Sequence, residues 1–219
     1  MSRAKELSGR LNRKLQEMSP QRINSLSDQE IDETIDIINE YIEEYNQGNS
    51  EVKITKINRY IYELRCDIDT YLAYISDPAK PIEYFSILRK ITQRKGLPSN
   101  AIYQALVWRK ESGNPTIRAG QIMRDVILPK YKCVVSDQYQ TLKGERMWDT
   151  FVEIMLDKGY KVRIINFTSG NYFEVKDFEE YIDLKDEFYG KDSWFAFTSR
   201  RFLCYTILGI NNQNIIKKY

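Results

Sequence analysis

Residues 25–50, SLSDQEIDETIDIINEYIEEYNQGNS, constrain the fold more tightly than any other stretch. Ser27 followed three residues later by Glu30 is the pattern of a capping box, in which each side chain satisfies a backbone N–H at a helix start. Ile31, Ile35, Ile38, Ile42 and Tyr45 then recur by fours and threes, the period of one helical face. Gly48 marks the stop. Eight acids and no base lie between Asp28 and Glu44. The plain interpretation is a solvated acidic face; the sharper one is a surface that attracts a basic partner.

The same spacing continues through Ile54, Ile57, Ile61, Leu64, Ile68, Tyr71 and Ile75. It predicts a second helix, joined to the first through QGNS as an antiparallel hairpin. Tyr41, Tyr45, Tyr60, Tyr62, Tyr71 and Tyr74 would border the seam as core-edge aromatics. Asp77-Pro78 and Pro81 break the pattern. Ahead of the hairpin, residues 1–27 are basic, with Leu7, Leu11, Leu15 and Met18 at helical spacing. That segment is expected to be a surface helix or a docking arm for an acidic partner.

Residues 82–112 predict two short helices, one through Ile82, Phe85, Leu88 and Ile91, the other through Ile102, Leu106 and Trp108, separated by GLPSN. Two such helices are compatible with helix-turn-helix as well as with simple packing. From Lys80 to Lys132 there are eleven bases against three acids. Arg94, Lys95, Arg109 and Lys110 are therefore the candidate phosphate contacts for a nucleic acid.

After Gly113-Asn114-Pro115 the pattern changes. TIRAGQIM predicts a strand, and a strand at 132–136, a helix at 143–158 and a strand at 160–167 predict a βαβ crossover with parallel strands. TSGN and YFEV suggest a return strand, Asp177 caps an acidic helix to about Phe188, and SWFAFTSRRFLCYTIL supplies the last strands. The expected class is α+β: an N-terminal helical hairpin and short helices, then a small α/β module. The expected parts are a basic segment at 1–27, a helical region at 28–112 and the α/β module at 113–219.

Composition removes several chemistries. Among 219 residues there is no histidine, so Ser-His-Asp and Cys-His activation and imidazole ligation are absent. Proton transfer would fall to Asp, Glu, Tyr, Lys or Cys. Cys66, Cys133 and Cys204 are far apart with no CxxC, which argues against zinc and fits buried thiols in a reducing cytoplasm. No run is long and apolar enough for a membrane helix. The acids from Asp177 to Glu187 lack a second carboxylate motif, so a solvated helix face is favoured over a metal site. Arg200 and Arg201, near Trp194, Phe195, Phe197 and Phe202, suggest a hairpin turn or a base-stacking surface.

By position, the best small-ligand candidate is the turn after the strand at 132–136: Ser136, Asp137, Gln140, Thr141, Gly144 and Arg146. Ligands of α/β sheets gather beyond the carboxyl ends of strands, at helix N-termini. The structural alternative is that Asp137 and Thr141 cap a turn and Gly144 allows close packing.

Two resemblances attach to these residues. Arg124, Asp125, Ser136, Asp137, Gln140, Thr141, Gly144 and Trp148, with the strand after Gly159-Tyr160, resemble a module of uncharacterised tailed-bacteriophage proteins over residues 117–167. This implies a phage or mobile-element origin and no particular activity. The strand–turn–helix–strand order is also similar to the acyl-CoA-binding core of GNAT acetyltransferases, in which a (Gln/Arg)-x-x-Gly-x-(Gly/Ala) loop cradles the cofactor pyrophosphate. Here Thr141 stands where Gln or Arg is expected relative to Gly144, and Arg146 where the second small residue belongs. That resemblance implies acetyl-CoA as cofactor, with Tyr160, Tyr172 or Tyr205 as a late acid. A helical first half leaves little room for the antiparallel strands that precede the loop in that family.

The expectation from sequence is a non-catalytic phage-type accessory protein in the cytoplasm of a bacterial host, without cofactor or metal. It would bind a host factor, a phage protein or another copy of itself. The alternatives are a nucleic-acid binder using the basic 80–132 region and a GNAT-like acyl-CoA-dependent transferase.

Overall fold

The computed structural model describes residues 2–17, 27–66, 71–91, 97–98, 101–136, 142–166, 171–189 and 203–208. They form an α+β protein with a helical pair at the N-terminus and a mixed set of strands behind it. Two compact units emerge: residues 1–90 with 104–121, and residues 91–103 with 122–219.

The first unit opens with α1 (Arg3–Glu17) and α2 (Asp28–Asn46). The capping box forms as the sequence requires, with Ser27 Oγ accepting from Glu30 N–H and Glu30 accepting from Ser27 N–H. The basic and acidic segments answer one another. Arg10 pairs with Glu40 at 2.6 Å, Arg3 also reaches Glu40, and Lys14 pairs with Glu33. The acidic face that looked like a lure for an external base is thus engaged in part by the chain's own first helix. Leu7 and Leu11 of α1 and Ile37, Ile38 and Tyr41 of α2 are buried in one apolar cluster with Leu64, Ile75, Phe85 and Ile87.

The helical hairpin predicted across 28–75 is corrected. Its second arm is strand: β1 (Val52–Lys56), β2 (Tyr62–Cys66) and β3 (Tyr71–Ile75), each antiparallel to the next. The three-and-four spacing arose from separate strands. Ile54 and Ile61 fall on either side of a tight turn, where Asn58 Oδ1 accepts the N–H groups of Tyr60 and Ile61. The side-chain cap closes that turn, which a helix would have had to run through.

The short helices expected at 82–108 are also strands, β4 (Tyr84–Lys90) and β5 (Ile102–Arg109). Residues 84–88 of β4 are all buried, and a short apolar run buried on both faces carries no helix-or-strand signature. In β5 the alternation of buried Ile102, Gln104 and Leu106 is the two-residue period of a strand. No helix-turn-helix exists in this segment. The region 28–112, expected to be helical, holds one helix and five strands among its described residues. The strand order in this unit is β1-β2-β3-β4-β5.

β5 carries an extra residue. Ile91 N–H bonds Ala101 O at 3.0 Å, and Lys110 N–H bonds Glu83 O at 2.8 Å. The interval from 83 to 91 therefore faces the longer interval from 101 to 110, which requires a bulge in β5. Ala105, Leu106 and Trp108 all pack against the one cluster, as a bulge that shifts the alternation would allow.

In the second unit, β6 (Cys133–Val135) runs parallel to the start of β5, Ile102 opposite Val134 and Tyr103 opposite Val135. The connection is helical, through α3 (Ala119–Ile122), a π-helical segment (Met123–Ile127) and α4 (Leu128–Tyr131), where a strand had been predicted for 116–123. Pro129 lies in the first turn of α4, where its missing N–H is tolerated. Lys132, at φ 62°, ends the helix in the left-handed region. Next come α5 (Leu142–Asp157), β7 (Lys161–Asn166), β8 (Tyr172–Val175), α6 (Phe178–Tyr189) and β9 (Leu203–Leu208). β9 pairs antiparallel with both β6 and β7. β6 and β7 therefore run parallel, as the crossover predicted, with the last strand inserted between them. Asp177 Oδ1 accepts Glu180 N–H at 2.9 Å, the expected cap of α6. Among the described residues no helix is long and apolar enough to cross a membrane.

Candidate functional site

The turn predicted as a ligand site divides into three parts. Ser136 is fully buried at the end of β6. Asp137, Gln140 and Thr141 lie outside the described residues. Gly144 and Arg146 stand in the first turns of α5, Arg146 exposed. Of the phage-like run, Arg124 and Asp125 form a local bidentate ion pair at 2.6 and 2.9 Å. Trp148 is fully buried, edge-on to Phe151. Half of that run is thus explained by packing and local pairing.

Arg94 and Lys95 lie outside the described residues. Arg109 donates to Ile117 O at 3.2 Å, and Lys110 is exposed while its backbone N–H bonds Glu83 O. Among the proposed acids, Tyr160 is half-buried and Tyr172 is exposed beneath the Arg163 guanidinium, 4.0 Å from its ring centre. The Tyr205 side chain, Arg200 and Arg201 with their neighbouring aromatics, and the C-terminal tail lie outside the described residues.

The first unit holds two polar features that periodicity concealed. The first is a buried polar strip on β2, β3, β4 and β5. Glu63, Tyr74 and Ser86 are directly opposite one another on three successive strands. Tyr74 donates to Glu63 Oε2 at 2.7 Å, both buried. Tyr84 is buried on the same face as Ser86, and burial pushes its phenol well above the ordinary range, with the Ser86 hydroxyl partly opposing. At the bulged strand Gln104 is 4% exposed, and its Oε1 has no hydrogen-bond partner among the described residues. A buried acceptor left open is costly and calls for an explanation in a ligand, a water or a strained site. Alternating polar residues at 74, 76, 84 and 86 were the signal for this strip. Strand rather than helical periodicity would have put them on one face.

The second feature is a polar cleft of about 220 Å³ at the strand ends. The β1–β2 turn contributes Arg59 and Tyr60, the β3–β4 connection Ser76, Asp77, Lys80, Pro81 and Glu83, and the segment after β5 Asn114 and Ile117. Its walls are tied together. Ser76 Oγ accepts Glu83 N–H at 2.9 Å, Asn114 N–H donates to Glu83 Oε2 at 3.1 Å, and Asn114 Oδ1 accepts from Thr116. Gly113 suits this position, since a Cβ would crowd Lys110 O at 3.1 Å. The elsewhere-charged α5–α6 contact is structural: Asp149 accepts from Lys185 at 2.7 Å and from Tyr181 at 2.8 Å. Among the described residues no group of His, Cys, Asp and Glu could hold a metal ion.

Comparison with known proteins returned no matching family model, no curated relative and no solved structure.

Proposed function

We propose that the chain is an acyl-CoA-dependent acyltransferase of GNAT-like architecture. One observation carries the reading: consecutive antiparallel strands, β1 to β4, precede the strand–helix–strand crossover β6–α5–β7, whose strands run parallel on either side of β9 and whose helix carries Gly144 and Arg146. The sequence argument against this reading was that a helical first half left no room for such strands. Residues 52–90 supply them. A fold hosts many chemistries, so the reaction must also find support in particular residues. Support comes from the bulge in β5, a device that concentrates beside active sites and leaves backbone groups unpaired, and from the buried Glu63–Tyr74 pair and Gln104 on the same strands.

In the transfer, an acceptor nitrogen or oxygen attacks the thioester carbonyl and the C–S bond breaks. The acceptor's proton goes to a base, and the departing CoA sulfur takes up a proton. Without histidine, carboxylates and tyrosines have to serve. Gly144 and Arg146 lie in the first turns of α5, and on this reading the helix N-terminus and the guanidinium hold the cofactor phosphates. The test is native mass spectrometry of the protein purified gently from a bacterial lysate, then with added acetyl-CoA. A one-to-one complex with a CoA species is expected. A bare protein at millimolar acetyl-CoA removes the reading.

A second reading, a phage accessory protein that docks another macromolecule in the bacterial cytoplasm without catalysis, is favoured by β8. It ends the strand order and, among the described residues, pairs with β7 alone. Tyr172 and Phe173 on it are 44% and 50% exposed. The opposite terminal strand, β1, carries Lys53 and Lys56, the usual guard against edge pairing. On this reading Phe173→Lys abolishes a complex recovered from lysate, and nuclease treatment tells a protein partner from a nucleic acid. Wild-type protein that remains monomeric and uncomplexed speaks against it.

A further inference from the structure

We infer that the polar cleft of the first unit is a binding site for a small organic or inorganic oxyanion, carrying carboxylate or phosphate groups. The inference stands apart from the acyltransferase reading, since it requires neither acyl-CoA nor any residue of α5.

The argument is one of commitment. The cleft is lined by two cations, Arg59 and Lys80, and two carboxylates, Asp77 and Glu83. Both carboxylates accept backbone N–H groups. Glu83 Oε2 accepts Asn114 N–H at 3.1 Å, and Asp77 Oδ1 accepts Ala79 N–H at 3.1 Å. Arg59 rests over the Tyr60 ring at 5.4 Å and has no hydrogen bond or ion pair among the described residues. Lys80 is only loosely associated with Asp77, at 3.9 Å, with three-quarters of its side chain exposed. A guanidinium without an ion-pair partner offers a planar fork of donors, which suits a planar carboxylate or a phosphate face.

The cleft is also built in advance. Asn58 Oδ1 accepts from the N–H groups of Tyr60 and Ile61, which fixes the tip that carries Arg59. Ser76 and Asn114 tie the other two walls to Glu83. Three loops tied together around a cleft that presents Arg59 and Lys80 lower the entropic cost of capturing an anion.

The experiment is a titration of the amide NMR spectrum of the whole chain at fixed ionic strength, with inorganic phosphate, glutarate and putrescine in separate arms. Saturable shifts at the amides of Arg59, Tyr60 and Asn114 are expected with at least one anion and not with the diamine. Whichever anion acts identifies phosphate or carboxylate as the recognised group. Arg59→Gln should weaken the affinity at least tenfold and Lys80→Gln severalfold, with the rest of the spectrum unchanged, because neither side chain holds the fold together. No saturable shift with either anion, equal affinity in Arg59→Gln, or a response to putrescine alone would overturn the proposal. No acyl-CoA is present, so this failure is distinct from failure of the transferase reading.

Discussion

Cys133 illustrates how burial decides a residue's chemistry. It is fully enclosed in β6, and burial pushes its thiol up to about 12, with the Arg163 charge pulling weakly the other way. The thiolate is the reactive form, so at pH 8 the native residue should resist alkylation. Peptide mass mapping after iodoacetamide should find Cys133 unmodified in native protein and modified in urea. Prompt native labelling would contradict its placement. Lys185 is a second case. Its ammonium is buried between α5 and α6 against Asp149, so Lys185→Met strands a carboxylate and should cost roughly 3 kcal/mol in urea denaturation. A double Asp149→Leu, Lys185→Met variant should recover part of that loss, because no unpaired charge remains. At this scale the sequence was informative about what is absent. The lack of histidine and the burial of Cys66 and Cys133 were legible, while the Cys204 side chain lies outside the described residues; the open Gln104 amide and the position of Arg59 depend on neighbours that only the fold brings together.

Single elements were legible where the sequence carried its own terminator. The Ser27–Glu30 box and the Asp177 cap both formed as read, because capping is a local interaction between residues a few positions apart. Ser27→Ala should destabilise the first unit by about 1 kcal/mol, measured as a shift in the urea midpoint. The strands at 52–109 were missed because a three-and-four spacing of apolar residues also results when short strands are broken by turns, as at Asn58. In β4 only Tyr84 and Ser86 betray the two-residue period, within a run buried on both faces. The α1–α2 contact should depend on pH and salt. The Lys14 hydrogen bond holds Glu33 below its usual value, and Arg3 does the same for Glu6. Groups with lowered native values stabilise the fold above their unfolded range and lose that contribution as pH falls through the native value. Hydrogen-exchange protection of α1 should therefore persist through neutral pH, decline below about pH 4.5 and weaken in high salt. Protection that rises on acidification would contradict the pairing.

For the whole molecule, class was legible and topology was not. Helices followed by an α/β pattern gave α+β, and the β6–α5–β7 direction followed from the handed crossover rule. The insertion of β9 between β6 and β7 joins residues far apart in the chain, and no local pattern encodes it. The same holds for the charge distribution. Acidic 28–44 and basic 1–17 looked like surfaces for outside partners, but the fold sets them against each other. Among the described residues, the outward-facing features include a cleft lined by Arg59 and Lys80 and an aromatic strand edge at Tyr172 and Phe173. The central claim, that this architecture serves acyl transfer from CoA, is tested most directly by isothermal titration calorimetry of the full chain with acetyl-CoA. The account predicts saturable one-to-one binding, which desulfo- or acetyl-CoA analogues sharing the nucleotide compete away. No heat of binding up to millimolar acetyl-CoA would contradict it.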